Sequence, residues 1–236
     1  MSAEPQSPPS PGVSPPGMNR RAACATIAAG AALSLPGCVN FSSMFSKMFF
    51  GDPHIDASFK QQTGVRLNDK TSVIVYCTAP TTVLDRHPSL SFDLQKQLTQ
   101  RMERRNIAVV DANRVSREID NRGGRATPAL IARLFEDVDY LVHVSVAAFD
   151  LEEPNSPNLL RGYAGGMLHG YALRGGQDSG GRQAVQIFQK EFQVEHPNHP
   201  VPRESMSPLA FEKKFLDVVS EQLGRVFYDF RSSELF

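Results

Sequence analysis

Tyr140-Leu-Val-His-Val-Ser-Val-Ala-Ala-Phe149 decides the fold. It is β-branched and apolar along most of its length, too short for a membrane span, and introduced by Asp139. Such a run reads as a strand buried on at least one face. Working outward, Ser72-Val-Ile-Val-Tyr-Cys77 and Ile107-Ala-Val-Val110 have the same character and read as shorter buried strands. Helical spacing lies between them. Leu90, Leu94, Leu98 and Met102 share one stripe, with Ser89 or Ser91 placed to cap it. Asp111 caps a short helix with Val115 and Ile119 inward, stopped by Gly123-Gly124. Thr127-Pro128 opens another, carrying Leu130, Ile131, Leu134 and Phe135.

Downstream of Phe149 the pattern becomes a meander. Met167 to Leu173 and Ala184 to Val194 read as strands around the glycine-rich loop 174–182. In the second, Phe188, Phe192 and Val194 oppose Gln189, Glu191 and Gln193. Pro197, Pro200 and Pro202 read as a stiff connector, and Ser207-Pro208 opens a last helix with Phe211, Phe215, Val218, Val219, Leu223, Val226 and Phe230. The order β-α-β-α-α-β-β-β-α predicts an α+β layer sandwich, a mixed sheet of about five strands with helices mainly on one face.

The first 62 residues are organised differently. Residues 1–17 are Pro-, Ser- and Gly-rich, cannot bury apolar surface and read as a disordered extension. Met18-Asn-Arg-Arg21 precedes the apolar run Ala22 to Leu35, which has the length of a secretory signal and falls short of the about 20 residues a span needs. Met18 therefore reads as the start of a complete signal. Residues 18–37 then form the signal peptide, 38–62 a membrane-proximal linker, and 63–236 one globular domain. In the linker, Phe41, Met44, Phe45, Met48 and Phe49 follow helical spacing, as in a short helix lying on a bilayer or packed on the domain.

Leu35-Pro-Gly-Cys38 resembles the lipobox of bacterial lipoproteins, with Leu35 three places before the cysteine and Gly37 directly before it. Pro36 departs from the usual small or β-branched residue. The resemblance implies cleavage between Gly37 and Cys38, acylation (palmitate among the acyl chains) of Cys38, and a cell-envelope protein. Val39 stands where an aspartate would imply inner-membrane retention, which implies the outer membrane, facing the periplasm. The arrangement over residues 65–230, with Phe135-Glu-Asp-Val-Asp139 leading into the long strand, resembles the curli-secretion lipoprotein, the lipoprotein activators of penicillin-binding proteins, and the amino-terminal domain of the Tol-Pal periplasmic protein.

Composition limits the chemistry. Lys+Arg 25 balances Asp+Glu 25, and no basic stripe marks a nucleic-acid partner. With Cys24 in the signal and Cys38 acylated, Cys77 is left without a disulfide partner. It reads as a buried free thiol. His196 and His199 flank Pro197-Asn198 without metal-ligand spacing. His143 reads as a hydrogen-bonded or outward-facing strand residue rather than a ligand, and Asp150, Glu152 and Glu153 as an acidic strand end. Gly162-Tyr-Ala-Gly-Gly166 precedes a strand, whereas phosphate loops precede a helix, so its glycines read as a bend or a close backbone approach. No catalytic, metal or cofactor set emerges. The expectation is a non-enzymatic envelope lipoprotein that docks onto an assembly for secretion, cell-wall or lipopolysaccharide construction, or onto its own copies. An envelope-anchored hydrolase is the alternative. The expected contact surface is the hairpin bearing Met167, His169, Tyr171 and Gln177, because neither face of its first strand is cleanly polar.

Overall fold

A computed structural model describes residues 52–124, 126–175 and 181–235. Gly37, Cys38, the signal, the amphipathic segment 41–50 and Gln177 lie outside the described residues. The chain divides into units 1–51 and 52–236.

The elements of the second unit are β1 (His54–Ile55), α1 (Ser58–Thr63), β2 (Ser72–Thr78), α2 (Thr81–Leu84), α3 (Leu90–Arg104), β3 (Ala108–Val109), α4 (Ala112–Asp120), α5 (Pro128–Leu134), β4 (Tyr140–Glu153), β5 (Ser156–Gly175), β6 (Arg182–Pro202), α6 (Pro208–Gly224) and β7 (Phe230–Arg231). The main sheet has the order β3-β2-β4-β5-β6 and is the mixed five-stranded sheet of an α+β fold. β2 runs parallel to β3 and β4, while β4, β5 and β6 are mutually antiparallel.

Local chemistry sets the helix starts. The Asp111 carboxylate accepts from the Arg114 amide at 3.0 Å, Thr127 Oγ1 from Leu130 at 3.2 Å, and Ser207 Oγ from Ala210 at 3.3 Å. Pro128 and Pro208 occupy first-turn positions, where the missing N–H costs nothing. Ser89 holds the N-cap place of α3 but makes no side-chain cap.

The core has two parts. Val73, Val75, Val142, Val144, Leu168 and Phe188 on one sheet face pack with α1, α3 and α6 through Phe59, Leu94, Leu98, Phe215 and Val219. On the other face Ile74, Leu141 and Leu173 meet Val115 and Ile119 of α4 and Ile131 of α5. Arg101 of α3 ties the first layer together: its guanidinium donates to Ser220 Oγ at 2.8 Å and pairs with Asp217 and Glu221, all on α6.

Four boundaries differ from the sequence reading. Packed structure begins upstream of residue 63: Phe59 is 1% exposed, and β1 pairs with β7. The last helix stops at Gly224, and Phe230 sits in β7. β5 starts at Ser156, so Gly162 to Gly166 lies inside a strand. β6 continues through Pro202, so the proline segment belongs to it. β6 is an edge strand, where a residue without an N–H is tolerated, and its register slips between Leu160↔Val201 and Gly162↔His196.

Candidate interaction face of the sheet

Alternation along β5 puts Leu160, Ala164, Leu168 and Ala172 on the helix-covered face and Arg161, Tyr163, Met167, His169 and Tyr171 on the other. Met167, His169 and Tyr171 thus share one face, and all three are half-buried. The register extends that face in rows. Met167 lies between Ser145 of β4 and Glu191 of β6, His169 between His143 and Gln189, and Tyr171 between Leu141 and Gln186. Helices α4 and α5 cover only the end of this face nearest Leu141, Tyr171 and Ala184. Met167, farther along this face, belongs to neither apolar cluster.

The rings on this face form a ladder. Tyr76 stacks on His143 with centroids 5.5 Å apart, His143 on His169 at 5.8 Å, and His169 lies 6.2 Å from Tyr171. Thr78 Oγ1 and His143 Nε2 are hydrogen-bonded at 2.9 Å. Burial, reinforced by the neighbouring His169, lowers the His143 pKa to about 4, so this imidazole is neutral at pH 7. Nδ1 of His169 is shielded from solvent and has no hydrogen-bond partner among the described residues. The sequence reading of His143 as a hydrogen-bonded strand residue matches this geometry. The ladder itself joins residues far apart in the chain, and only strand register brings them together.

The other singled-out groups are placed in less reactive settings. Cys77 is 3% exposed, and burial pushes its thiol far above the ordinary range. Around a groove of about 650 Å³ at the β4–β5 turn, the acidic residues are paired with arginines. Asp150 meets Arg86 at 3.0 Å, Glu152 meets Arg203 at 2.9 Å, and Arg161 meets Glu195 at 2.6 Å and Glu153 at 3.5 Å. Burial would raise the Asp150 pKa, but hydrogen bonds from Arg86 and from the Glu152 and Leu151 amides outweigh it and hold the carboxyl below its usual range. Burial, aided by Lys214, lowers the pKa of His196 on β6. Among the described residues, no group of three or more His, Cys, Asp or Glu is placed to hold a metal, and no helix is long and apolar enough to cross a membrane.

No family model matches the chain, and no curated protein matches it. Solved structures do. The lipoprotein GNA1162 from Neisseria meningitidis is similar at 9% identity and TM-score 0.37, over 65% of this chain and 98% of that one. The PelC dodecamer from Paraburkholderia phytofirmans is similar at 6% identity and TM-score 0.38, over 75% and 96%. A minor lipoprotein from Acinetobacter baumannii is similar at 11% identity and TM-score 0.28, over 66% and 90%. The solved structures that this chain resembles thus include bacterial lipoproteins.

Proposed function

We propose that this chain is a non-enzymatic lipoprotein of the bacterial cell envelope, acylated on Cys38, that docks onto an envelope assembly through the partly covered face of its sheet. The anchor rests on the sequence: a basic start, an apolar run, and Leu35-Pro-Gly-Cys38. The docking role rests on one observation. Met167, His169 and Tyr171 line up half-buried on a sheet face that α4 and α5 cover only at one end. A half-buried row of ring and thioether side chains bordered by Gln189, Glu191 and Gln193 has the composition of an interface, apolar at its centre and polar at its rim. The arginine-paired carboxylates and the inert Cys77 fit a non-enzymatic role.

A photo-crosslinking residue at Tyr171 or Gln177, in cells expressing the full chain, tests the docking face. Adducts to a second envelope protein or to a second copy are the expected result. Crosslinks confined to residues 41–50 of the same molecule would show that the face is covered by its own N-terminal segment and would overturn the reading.

A further inference from the structure

β6 closes one side of the main sheet. It is long, Arg182–Pro202, and among the described residues no strand pairs with its outer side. An edge strand presents a row of unpaired backbone N–H and C=O groups, which is a template for another strand. Natural sheets blunt such edges with bulges and prolines. β6 has both, but only toward its ends. Its register against β5 shifts between Phe188 and Gln186, and again between His196 and Val201, where Pro197 and Pro200 also remove donors. From Phe188 to His196 the pairing with β5 is regular and includes no proline. Phe192 is the midpoint of that stretch.

The side chains of this stretch are self-complementary in one register. Two copies of a strand pair antiparallel about a two-fold axis perpendicular to the sheet, and side chains directly opposite share a face, so one residue must stand opposite its own copy. With Lys190 or Glu191 at that centre, like charges meet; with Gln193 there, Glu191 faces Glu195. Like charges directly opposite destabilise a strand pair. With Gln189 or Val194 at the centre, the pairing runs into the bulge at Ile187 or into Pro197. Phe192 at the centre uses the whole regular stretch and brings no like charges together. Glu191 then faces Gln193 and Gln189 faces Glu195, each twice, so carboxamides donate to carboxylates on the exposed face. On the helix-covered face the Lys190 stem lies beside Val194, and Phe192 meets Phe192. That ring is half-buried at the margin of the core to which Phe188 and Val194 belong, so it has apolar surface left to bury. Lys190 is held by Ser58 Oγ at 3.0 Å and Glu195 by Arg161 at 2.6 Å.

We propose that β6 pairs antiparallel with β6 of a second copy of this chain, Phe192 opposite Phe192, giving a two-fold dimer with one continuous sheet. The contact is isologous, so it consumes the long edge of both copies. The opposite edge strand, β3, has only Ala108–Val109, and the assembly closes at two. Because the axis is perpendicular to the sheet, the Met167–Tyr171 faces of both copies lie on the same side. The dimer stands or falls independently of what that face binds.

Cysteine crosslinking and sedimentation equilibrium of the detergent-solubilised full chain test it, with the unsubstituted chain as background. Cys77 is 3% exposed and does not compete. On oxidation Phe192→Cys should give a disulfide-linked dimer above that background. Gln189→Cys, exposed on the same strand but set opposite Glu195, should not. The exposed Gln193 gives a second readout that leaves the core untouched. Gln193→Glu sets a carboxylate against Glu191 in both halves of the dimer and should raise its dissociation constant about tenfold, whereas Gln193→Lys sets opposite charges there and should lower it. A monomer at every concentration, which is the outcome if residues 39–50 or another protein occupy the edge, overturns the proposal. So do equal crosslinking at 189 and 192, and a shift of the same sign for Gln193→Glu and Gln193→Lys.

Discussion

The Phe215 ring of α6 lies against the bare Cα of Gly162 in β5: a Cβ on Gly162 would stand 2.4 Å from ring carbons of Phe215. The ring is fully buried, against Phe149 at 5.4 Å between centroids. Glycine here is a packing requirement, since only a residue without a side chain lets the strand and the helix approach this closely.

Phe215→Ala should therefore cost about 3–5 kcal/mol in chemical denaturation, the range for deleting a fully buried phenyl ring. Gly162→Ala should cost about 1–3 kcal/mol through overpacking. The double variant should lose less than the two single losses added, because removing the ring frees the space that the new methyl needs. Strict additivity would show that the two positions do not compete for one volume.

The neutral His143 makes stability pH-dependent with a definite sign. Its folded pKa of about 4 lies below the ordinary 6.5, so between those values the unfolded chain binds more protons than the folded one. The stabilisation is complete above pH 6.5 and is lost as pH falls toward 4. Discounted for the solvent access His143 retains, the loss is on the order of 1–2 kcal/mol. His196, whose pKa is also lowered, acts in the same direction. Melting temperatures between pH 4.5 and 7.5 should rise with pH, and His143→Gln, which can keep a hydrogen bond to Thr78, should flatten part of that rise. An unchanged slope in the variant would assign the effect to other groups.

The parts of the fold written in short-range pattern were legible in the sequence. The runs Val73 to Val75 and Leu141 to Val146, the Leu90-Leu94-Leu98 stripe, and the caps at Asp111, Thr127 and Ser207 each declare themselves within a few residues. The full lengths of β5 and β6 were not, because glycine and proline lower strand propensity wherever they occur. Here Gly162, Gly166 and Gly170 sit where a Cβ would strike Phe215, the Ser145 carbonyl and Phe59, and the prolines lie on an edge strand. The β1–β7 pair joins His54 to Arg231, and the ladder joins Tyr76, His143 and His169. Neither leaves a local signal. The faces of Met167, His169 and Tyr171 were legible from alternation alone, but the extent of their cover was not, since it depends on where α4 and α5 end.

Cys38→Ser removes the residue on which the proposed anchor rests. The variant should lose acyl mass and leave the detergent phase in phase partition, or remain uncleaved. In the wild-type chain, mass spectrometry should find a mature N-terminus at an acylated Cys38, and fractionation should place the protein with outer-membrane markers, as Val39 implies. An unacylated N-terminus far from Cys38 would remove the lipoprotein reading, and recovery only with inner-membrane markers would remove the sorting assignment.

The two ends of the folded unit hold each other. Asp52 accepts from Ser232 Oγ at 2.6 Å and from the Ser233 amide at 3.1 Å, and Asp229 accepts from the Ala57 amide at 3.0 Å. Lys60 and Arg66 approach the same Asp229 carboxylate at 3.7 and 3.4 Å. Between these ties α1 inserts Phe59 against Phe188 and Phe227, with centroids 5.3 and 5.7 Å away, and fills the space above Gly170. Removing residues 52–63 would strip that ring from the core and leave Asp229, whose side chain is 8% exposed, without the Ala57 amide and Lys60. A fragment starting at Asp52 should unfold in one cooperative transition. A fragment starting at Gly64 should be less stable by more than the about 3–5 kcal/mol that Phe59→Ala alone removes, because it also loses the Ala57 amide and Lys60 from Asp229 and the β1–β7 pair, leaving Arg66 as the partner of that carboxylate. Circular dichroism melts of the two fragments and of the Phe59→Ala chain decide the matter. Equal melting temperatures for the fragments would mean that the folded body begins at residue 63 after all, as the sequence pattern alone implies.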